Sequence, residues 1–267
     1  MKLYRKPEGN TMKKFLFFDV DGTLYNYDKI IPASTLEALK IAKENGYEIA
    51  IATGRAPFMI KGLLEELNIH TYVSFNGQYV VYNDEVIFTD GVSSETLTKI
   101  IEFGSLRNEP VVFLDDVQMI ASKGENERVA ASLATLKYPY PLIDATYYLN
   151  KPVYQTLIFT DEEGEKEYSK QFPDVQLVRW HPVSCDILPK DGSKARGIQK
   201  LQHFAQIPLE DIYVFGDGLN DIEMLSYVPN SIAVGNGHPK AKEVAKYVTD
   251  HVDENGIYNA MKMLNLI

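Results

Sequence analysis

The 267-residue chain predicts an α/β fold, a parallel sheet covered by helices on both faces and interrupted by an inserted α+β segment. Three observations carry this reading. Short apolar runs alternate with stretches of helical periodicity over residues 12–82 and again over residues 187–267. The runs are apolar throughout instead of alternating with polar residues, which marks strands buried on both faces of a parallel sheet. Between residues 83 and 186 the strand patterns come in pairs joined by turn residues, which favours an antiparallel sheet.

Each element follows from its own residues. Residues 15–18 form an apolar run of strand formers, and residues 34–45 repeat Leu36, Leu39 and Ile41 at helical spacing. Ser34 with Glu37 matches a capping box, and Gly46 is placed to stop that helix. A strand over 49–52, a helix over 58–67 and a strand over 72–75 complete the first alternation. In the middle segment, helices are predicted over 95–106 and 126–136. Strands over 111–114 and 117–121 are joined there by Asp115 and Asp116. Alternation resumes with a helix over 194–204, a strand over 212–215, a helix over 221–225, a strand over 232–234, and helices over 240–246 and 258–264. The division expected is a core of residues 12–82 and 187–267, an inserted unit of residues 83–186, and a loose extension of residues 1–11, with Met12 an equal candidate for the start. Two units suit this length at roughly 100 to 200 residues per domain.

Composition removes several function classes. The chain has 37 acidic and 27 basic side chains, a net charge of −10, and no dense basic run, which argues against a general nucleic-acid binder. One cysteine, Cys185, excludes a disulfide framework and a thiolate zinc site and suits a reducing, cytoplasmic setting. The longest apolar runs fall far short of the roughly 18 residues of a membrane span. The run after Met12 is also shorter than a signal-peptide core of about 7 to 15 residues. The five histidines are scattered without ligand spacing, and Trp180 and His181 are read as part of the inserted unit's core or surface.

In open parallel sheets, ligands bind beyond the carboxyl ends of the strands. The first strand ends in Asp19-Val20-Asp21-Gly22-Thr23, the second in Thr53-Gly54-Arg55, and the strand over 212–215 in Gly216-Asp217-Gly218-Leu219-Asn220-Asp221. If Asp19, Asp21, Asp217 and Asp221 converge there, their repulsion calls for a hard divalent cation, with Mg²⁺ the best match to an all-oxygen donor set. A phosphate ester makes the cation necessary. A carboxylate about 3.5 Å from a phosphate dianion is repelled by roughly 9 kcal/mol at an effective dielectric of about 20. A dication and a lysine cancel that, and Lys194 is the best placed lysine, with Lys190 its nearest competitor. Thr53 has a plainer role open to it, as a helix cap. The 216–221 segment resembles a dinucleotide fingerprint only until Asp221, which stands where the third glycine would be. Gly235-Asn236-Gly237 is read as an ordinary turn.

Asp19-Val20-Asp21-Gly22-Thr23, Thr53, Lys194 and Gly216-Asp217-Gly218-Leu219-Asn220-Asp221 together resemble the four ordered motifs of the haloacid dehalogenase-like phosphatases, over nearly the whole chain after Met12. The insertion between the second and third motifs, with Asn76-Gly77 after the third strand, resembles the Cof-type branch. That resemblance implies a Rossmann-like parallel sheet core with a large inserted α+β cap. It implies a Mg²⁺-dependent phosphatase acting on a small phosphorylated metabolite, such as a sugar phosphate or a phosphorylated cofactor. Asp19 would be the nucleophile and Asp21 the general acid and base. Asp19, the backbone carbonyl of Asp21 and Asp217 would hold Mg²⁺, with Asp221 a ligand or a support behind them. Thr53, Gly54, Lys194 and Asn220 would serve the phosphoryl group, Asn220 by orienting its neighbours. One departure stands out: the family has Gly directly after the motif lysine, whereas this chain has Ala195, with Gly197 two residues on. A phosphosugar mutase using the same covalent step and a non-catalytic phosphometabolite-binding protein are the alternatives these residues leave open. The sequence carries no mark of oligomeric state.

Overall fold

A computed structural model of the protein describes residues 14–267, so the extension expected over residues 1–11 lies outside the described residues. In chain order the elements are β1 (Phe15–Phe18), α1 (Ala33–Glu44), β2 (Glu48–Ala52), α2 (Pro57–Glu66), β3 (Tyr72–Ser74), β4 (Tyr79–Tyr82), β5 (Glu85–Thr89), α3 (Ser94–Ser105), β6 (Val111–Leu114), β7 (Met119–Ala121), α4 (Glu127–Thr135), β8 (Leu142–Ile143), β9 (Gln155–Ile158), α5 (Glu162–Gln171), β10 (Val175–His181), β11 (Ser184–Pro189), α6 (Lys194–Ala205), β12 (Ile212–Gly216), α7 (Ile222–Tyr227), β13 (Asn230–Ala233), α8 (Pro239–Val244), β14 (Tyr247–Val248) and α9 (Gly256–Met263). They build two sheets. Eight strands run in the order β14-β13-β12-β1-β2-β3-β4-β5, and six in the order β10-β11-β9-β6-β7-β8.

The first sheet explains its own apolar runs. Leu16 and Phe18 of β1 point into a cluster with Ala38 and Leu39 of α1, Ile60 and Leu63 of α2, and Met261 of α9. Phe15 and Phe17 point the other way, onto Ile198 and Leu201 of α6, Met224 of α7 and Ala241 of α8. A strand buried on both faces cannot alternate, which is why it reads FLFF. The strands from β14 to β3 are parallel, and β1 lies between β12 and β2 with Phe18 level with Phe215 and Ile51. The carboxyl ends of these three strands therefore come side by side where the strand order reverses, the place such sheets bind ligands.

Several expectations change in detail. The helix expected from Ser34 begins at Ala33 behind Pro32, which caps it through its carbonyl, accepting from the amides of Thr35 (2.9 Å) and Leu36 (3.1 Å). The capping box is thus not formed, and the Ser34 hydroxyl has no partner. The first sheet also runs past residue 82, because β5 pairs antiparallel with β4 and β4 with β3. At the far end, β11 keeps the second sheet going to Pro189. β8 joins β7 in parallel, at the edge of an otherwise antiparallel second sheet.

The chain crosses between the two sheets twice, and the crossings meet at Gln78. The amide of Asp90 donates to the Gln78 carbonyl (2.8 Å), and Arg196 donates to Gln78 Oε1 (3.3 Å) and to Asp90 (2.6 Å). Gly192, on the return crossing, lies so close to the Gln78 amide that a Cβ there would overlap it. Among the described residues, no helix is long and apolar enough to cross a membrane.

Candidate active site

β1, β2 and β12 deliver Asp19, Thr53 and Asp217 to one edge of the first sheet. Asp19 is nearly buried, and its amide donates to the Phe215 carbonyl (2.9 Å), which locks the end of β1 to the end of β12. Oxygens of Asp19, Asp217 and Asp221 all lie within 4.8 Å of one another. Gly22 makes this possible: it sits at φ +85°, and a Cβ there would run into the Asp217 carboxylate. Its carbonyl accepts from Asn236 Nδ2 (2.7 Å), whose own Oδ1 accepts from the Val252 amide (2.9 Å). The 235–237 turn is therefore a buttress for the first loop, not the ordinary turn expected.

Lys194 opens α6. Ser193 caps that helix, its hydroxyl accepting from the Arg196 amide (3.2 Å). Gly77, at φ +96°, lets the first turn of α6 approach so closely that a Cβ would strike the Ser193 carbonyl, and Gly197 meets Gly77 in the same contact. Gly197 thus provides the close approach in a helix that has Ala195 directly after the lysine. The buried Lys194 ammonium donates to Asp19 Oδ1 and to Asp221 Oδ1 (2.6 Å). Burial alone would lower its pKa, but the two carboxylates outweigh that and hold it above its ordinary value, so it is a fixed cation.

The carboxylates differ in their surroundings. Asp221 is fully buried and saturated: Oδ2 accepts from the amides of Asp217 (2.8 Å) and Gly218 (2.7 Å) while Oδ1 takes Lys194. Asp217 accepts from Thr23 Oγ1 (2.8 Å), and burial with the nearby Asp221 charge pushes it up to about 6. Burial likewise raises Asp19, which the Lys194 charge opposes and the other two carboxylates reinforce. Such crowding of anionic oxygens fits a hard divalent cation, with Asp19 and Asp217 holding the unsaturated oxygens.

Asp21 stands apart from this cluster. Its carboxylate is held by Arg55 through two bonds (2.7 and 2.6 Å) and by Lys29 (2.5 Å). Burial would raise its pKa, yet the two cations together leave it below the usual carboxylate range. Arg55 is the residue the sequence reading passed over, although it stands in the same strand-end string as Thr53 and Gly54. Thr53 is buried, and its hydroxyl accepts from the Arg55 amide (3.2 Å). Gly54 packs against the side chain of Asn76, a residue held at φ 50°, and Asn76 Oδ1 accepts from Asn220 Nδ2 (3.1 Å). Asn220 is thus fixed to the loop after β3. Cys185 is buried in the second sheet, with burial pushing its thiol up to about 12.

The chain is similar to known proteins in sequence and fold. The family described as haloacid dehalogenase-like hydrolase matches residues 16–261. YkrA of Bacillus subtilis (strain 168), named as a phosphatase, is 41% identical over 254 residues, spanning 95% of this chain and 98% of its own length. A solved structure of a hypothetical protein from Geobacillus kaustophilus HTA426 superposes with a TM-score of 0.92 at 45% identity, covering 96% of this chain and 100% of the other. The sugar phosphatase BT4131, of subclass IIB of that superfamily, superposes with a TM-score of 0.83 at 34% identity, covering 96% of this chain and 100% of its own.

Proposed function

Because the chain belongs to the haloacid dehalogenase-like hydrolase family and is a phosphatase, we propose that it hydrolyses a small phosphorylated metabolite, a sugar phosphate or phosphorylated cofactor, through an aspartyl-phosphate on Asp19. The observation that carries this reading is the meeting of Asp19, Asp217 and Asp221 around the Lys194 ammonium at the carboxyl ends of β1 and β12. Asp19 Oδ attacks phosphorus, the bond to the leaving oxygen breaks, and Asp21 supplies the proton that oxygen takes up, a role that requires the arriving phosphate dianion to raise Asp21 from the ionised form that Arg55 and Lys29 favour in the free site. Asp21 then takes a proton from the water that displaces Asp19, returning both carboxyl groups to their starting states. Arg55 fixes the orientation of Asp21 through its two-point contact. Lys194 and Thr53 bind phosphoryl oxygens. Asp221, with both oxygens already engaged, holds Lys194 and the 216–218 backbone in place.

Mg²⁺ would be held by Asp19, Asp217 and the Asp21 carbonyl, and when bound it supplies the positive charge that lets a carboxylate approach a phosphate dianion. The six-stranded unit would act as a cap, excluding bulk water when closed and releasing product when open. A reducing, cytoplasmic setting suits the single buried cysteine. The test is direct. Asp19→Asn removes the attacking oxygen, so turnover of a phosphate-ester panel with Mg²⁺ falls below detection and no alkali-labile phosphoenzyme forms; a variant that still turns over would falsify the mechanism. Chelation of Mg²⁺ is expected to abolish wild-type turnover in the same assay.

A further inference from the structure

The second sheet has two faces, and only one is closed by α3 and α5. That face buries Phe113, Ile158, Cys185 and Ile187 with Leu97 and Ile100 of α3 and Tyr168 of α5. The opposite face, with Leu114, Leu157 and Phe159, is partly covered by Val129 and Leu133 of α4 and packs in the same cluster with Ala56 and Phe75 of the first unit. Ala56 directly follows Arg55, and Phe75 directly precedes Asn76. This face therefore lies over the loops that carry the site. Tyr138, in the segment after α4, meets Phe58 of α2 edge-on with ring centres 6.2 Å apart.

The register places a carboxylate on this otherwise apolar face. Asp186 of β11 lies opposite Leu157 of β9 and Val178 of β10, so it shares their side of the sheet. Gln155 stands two residues before Leu157, and Trp180 two after Val178, where the β10–β11 ladder shifts register. The amide of Gln155 and the indole of Trp180 adjoin the Asp186 carboxyl. Gln155 is only 5% exposed, and its Oε1 has no hydrogen-bond partner. Such an orphan costs about 1–3 kcal/mol. An orphan acceptor beside a buried carboxylate, on the face that covers the site, is a cost that packing of the second unit does not repay.

We propose that Asp186, Gln155 and Trp180 form the leaving-group subsite and select phosphate esters of sugars or polyols. The inference rests on the phosphatase reading above and deepens it. A carboxylate accepts from two neighbouring hydroxyls of one carbon chain, Gln155 Oε1 accepts from a third, and the Trp180 N–H donates to a hydroxyl or ring oxygen. The indole face and the Tyr138 ring supply apolar surface for the C–H side of the same chain. Burial pushes the Asp186 carboxyl up to about 7, against the flanking donors Trp180 and Gln155. Hydroxyls that donate to it favour its ionised form, so the subsite gains most from a ligand rich in donors.

The experiment compares kcat/KM for the wild type, Asp186→Asn, Gln155→Met and Trp180→Phe on a hexose 6-phosphate, a pentitol 5-phosphate and p-nitrophenyl phosphate, each with Mg²⁺. The expected result is a loss on the sugar and polyol esters, carried by KM, that exceeds the loss on p-nitrophenyl phosphate by tenfold or more in each variant. Equal losses on all three esters, or no loss on any, overturn the subsite. So does a wild type that prefers p-nitrophenyl phosphate to both hydroxylated esters. If Asp186→Asn does not fold, by thermal unfolding, Trp180→Phe decides, since it keeps an aromatic ring in place while removing the indole N–H. A wild type inactive on every ester overturns the phosphatase reading itself, a failure distinct from loss of selectivity.

Discussion

Asp221 and Asp186 are carboxylates set among buried groups in different sheets, and their partners give them opposite energetics. Asp221 accepts from an ammonium and two backbone amides, so its charge is repaid by three donors. Asp186 has too few donors for its burial, which pushes it up to about 7. Its folded form holds the proton more tightly than the unfolded chain does, so between about pH 4 and pH 7 the folded state binds more protons and stability falls as pH rises. Asp186→Asn removes that dependence. Melting curves across this range are expected to show the wild type losing ground to the variant up to about pH 7, with the gap constant above it; a gap that narrows instead contradicts the assignment. The residue scale also divides what the sequence shows from what it hides. Asp19, Thr53, Lys194 and Asp217 were legible because each directly follows an apolar run or opens a helix. Asn236 was not, because its partner Gly22 is 214 positions away, and Asp186 was not, because only the strand register decides which face it occupies.

At the scale of elements, α6 is the piece on which the site depends, because its first residue is the lysine between two carboxylates. Its seat is the Gly77–Gly197 contact, where no side chain fits. Gly77→Ala places a Cβ against the Ser193 carbonyl in a backbone conformation costly to other residues, so a destabilisation of roughly 2 kcal/mol or more is expected. Turnover should fall at least several-fold, as α6 withdraws and Lys194 leaves its partners. Denaturant melts and steady-state rates check both; an unchanged rate in a folded variant would show that the lysine is placed by something else. The long apolar or strongly periodic elements were visible in the sequence. β5 was not, because it is an edge strand with exposed Glu85 and Val86, and neither was α5, whose charged run is made helical by the Asp161 cap (3.0 Å to the Gly164 amide) and by packing of Tyr168.

For the molecule as a whole, a net charge of −10 counts less than three carboxylates at one sheet edge, because salt screens distant surface charge within about 8 Å. The cluster is a store of repulsion that the proposed cation would relieve, and folding would feel that relief. At Mg²⁺ about a hundredfold above its dissociation constant, binding adds about 2.7 kcal/mol, or roughly 5–10 °C in the melting midpoint of a chain this size. Calorimetry is expected to show that rise in the wild type and to lose most of it in Asp217→Asn. An equal rise in both would place the cation elsewhere.

The paired crossings at Gln78, tied by Arg196 and Asp90, have a mechanical consequence. A body fastened at one point can tumble, but a body fastened at two adjacent points turns only about the line through them. If the six-stranded unit moves as the proposed cap, it is thereby limited to a single swing, like a door on paired hinges. The proposed opening and closing of the cap would then bring Asp186 back over the loops that carry Arg55 and Asn76 along one path, so selectivity would survive each turnover without a search for alignment.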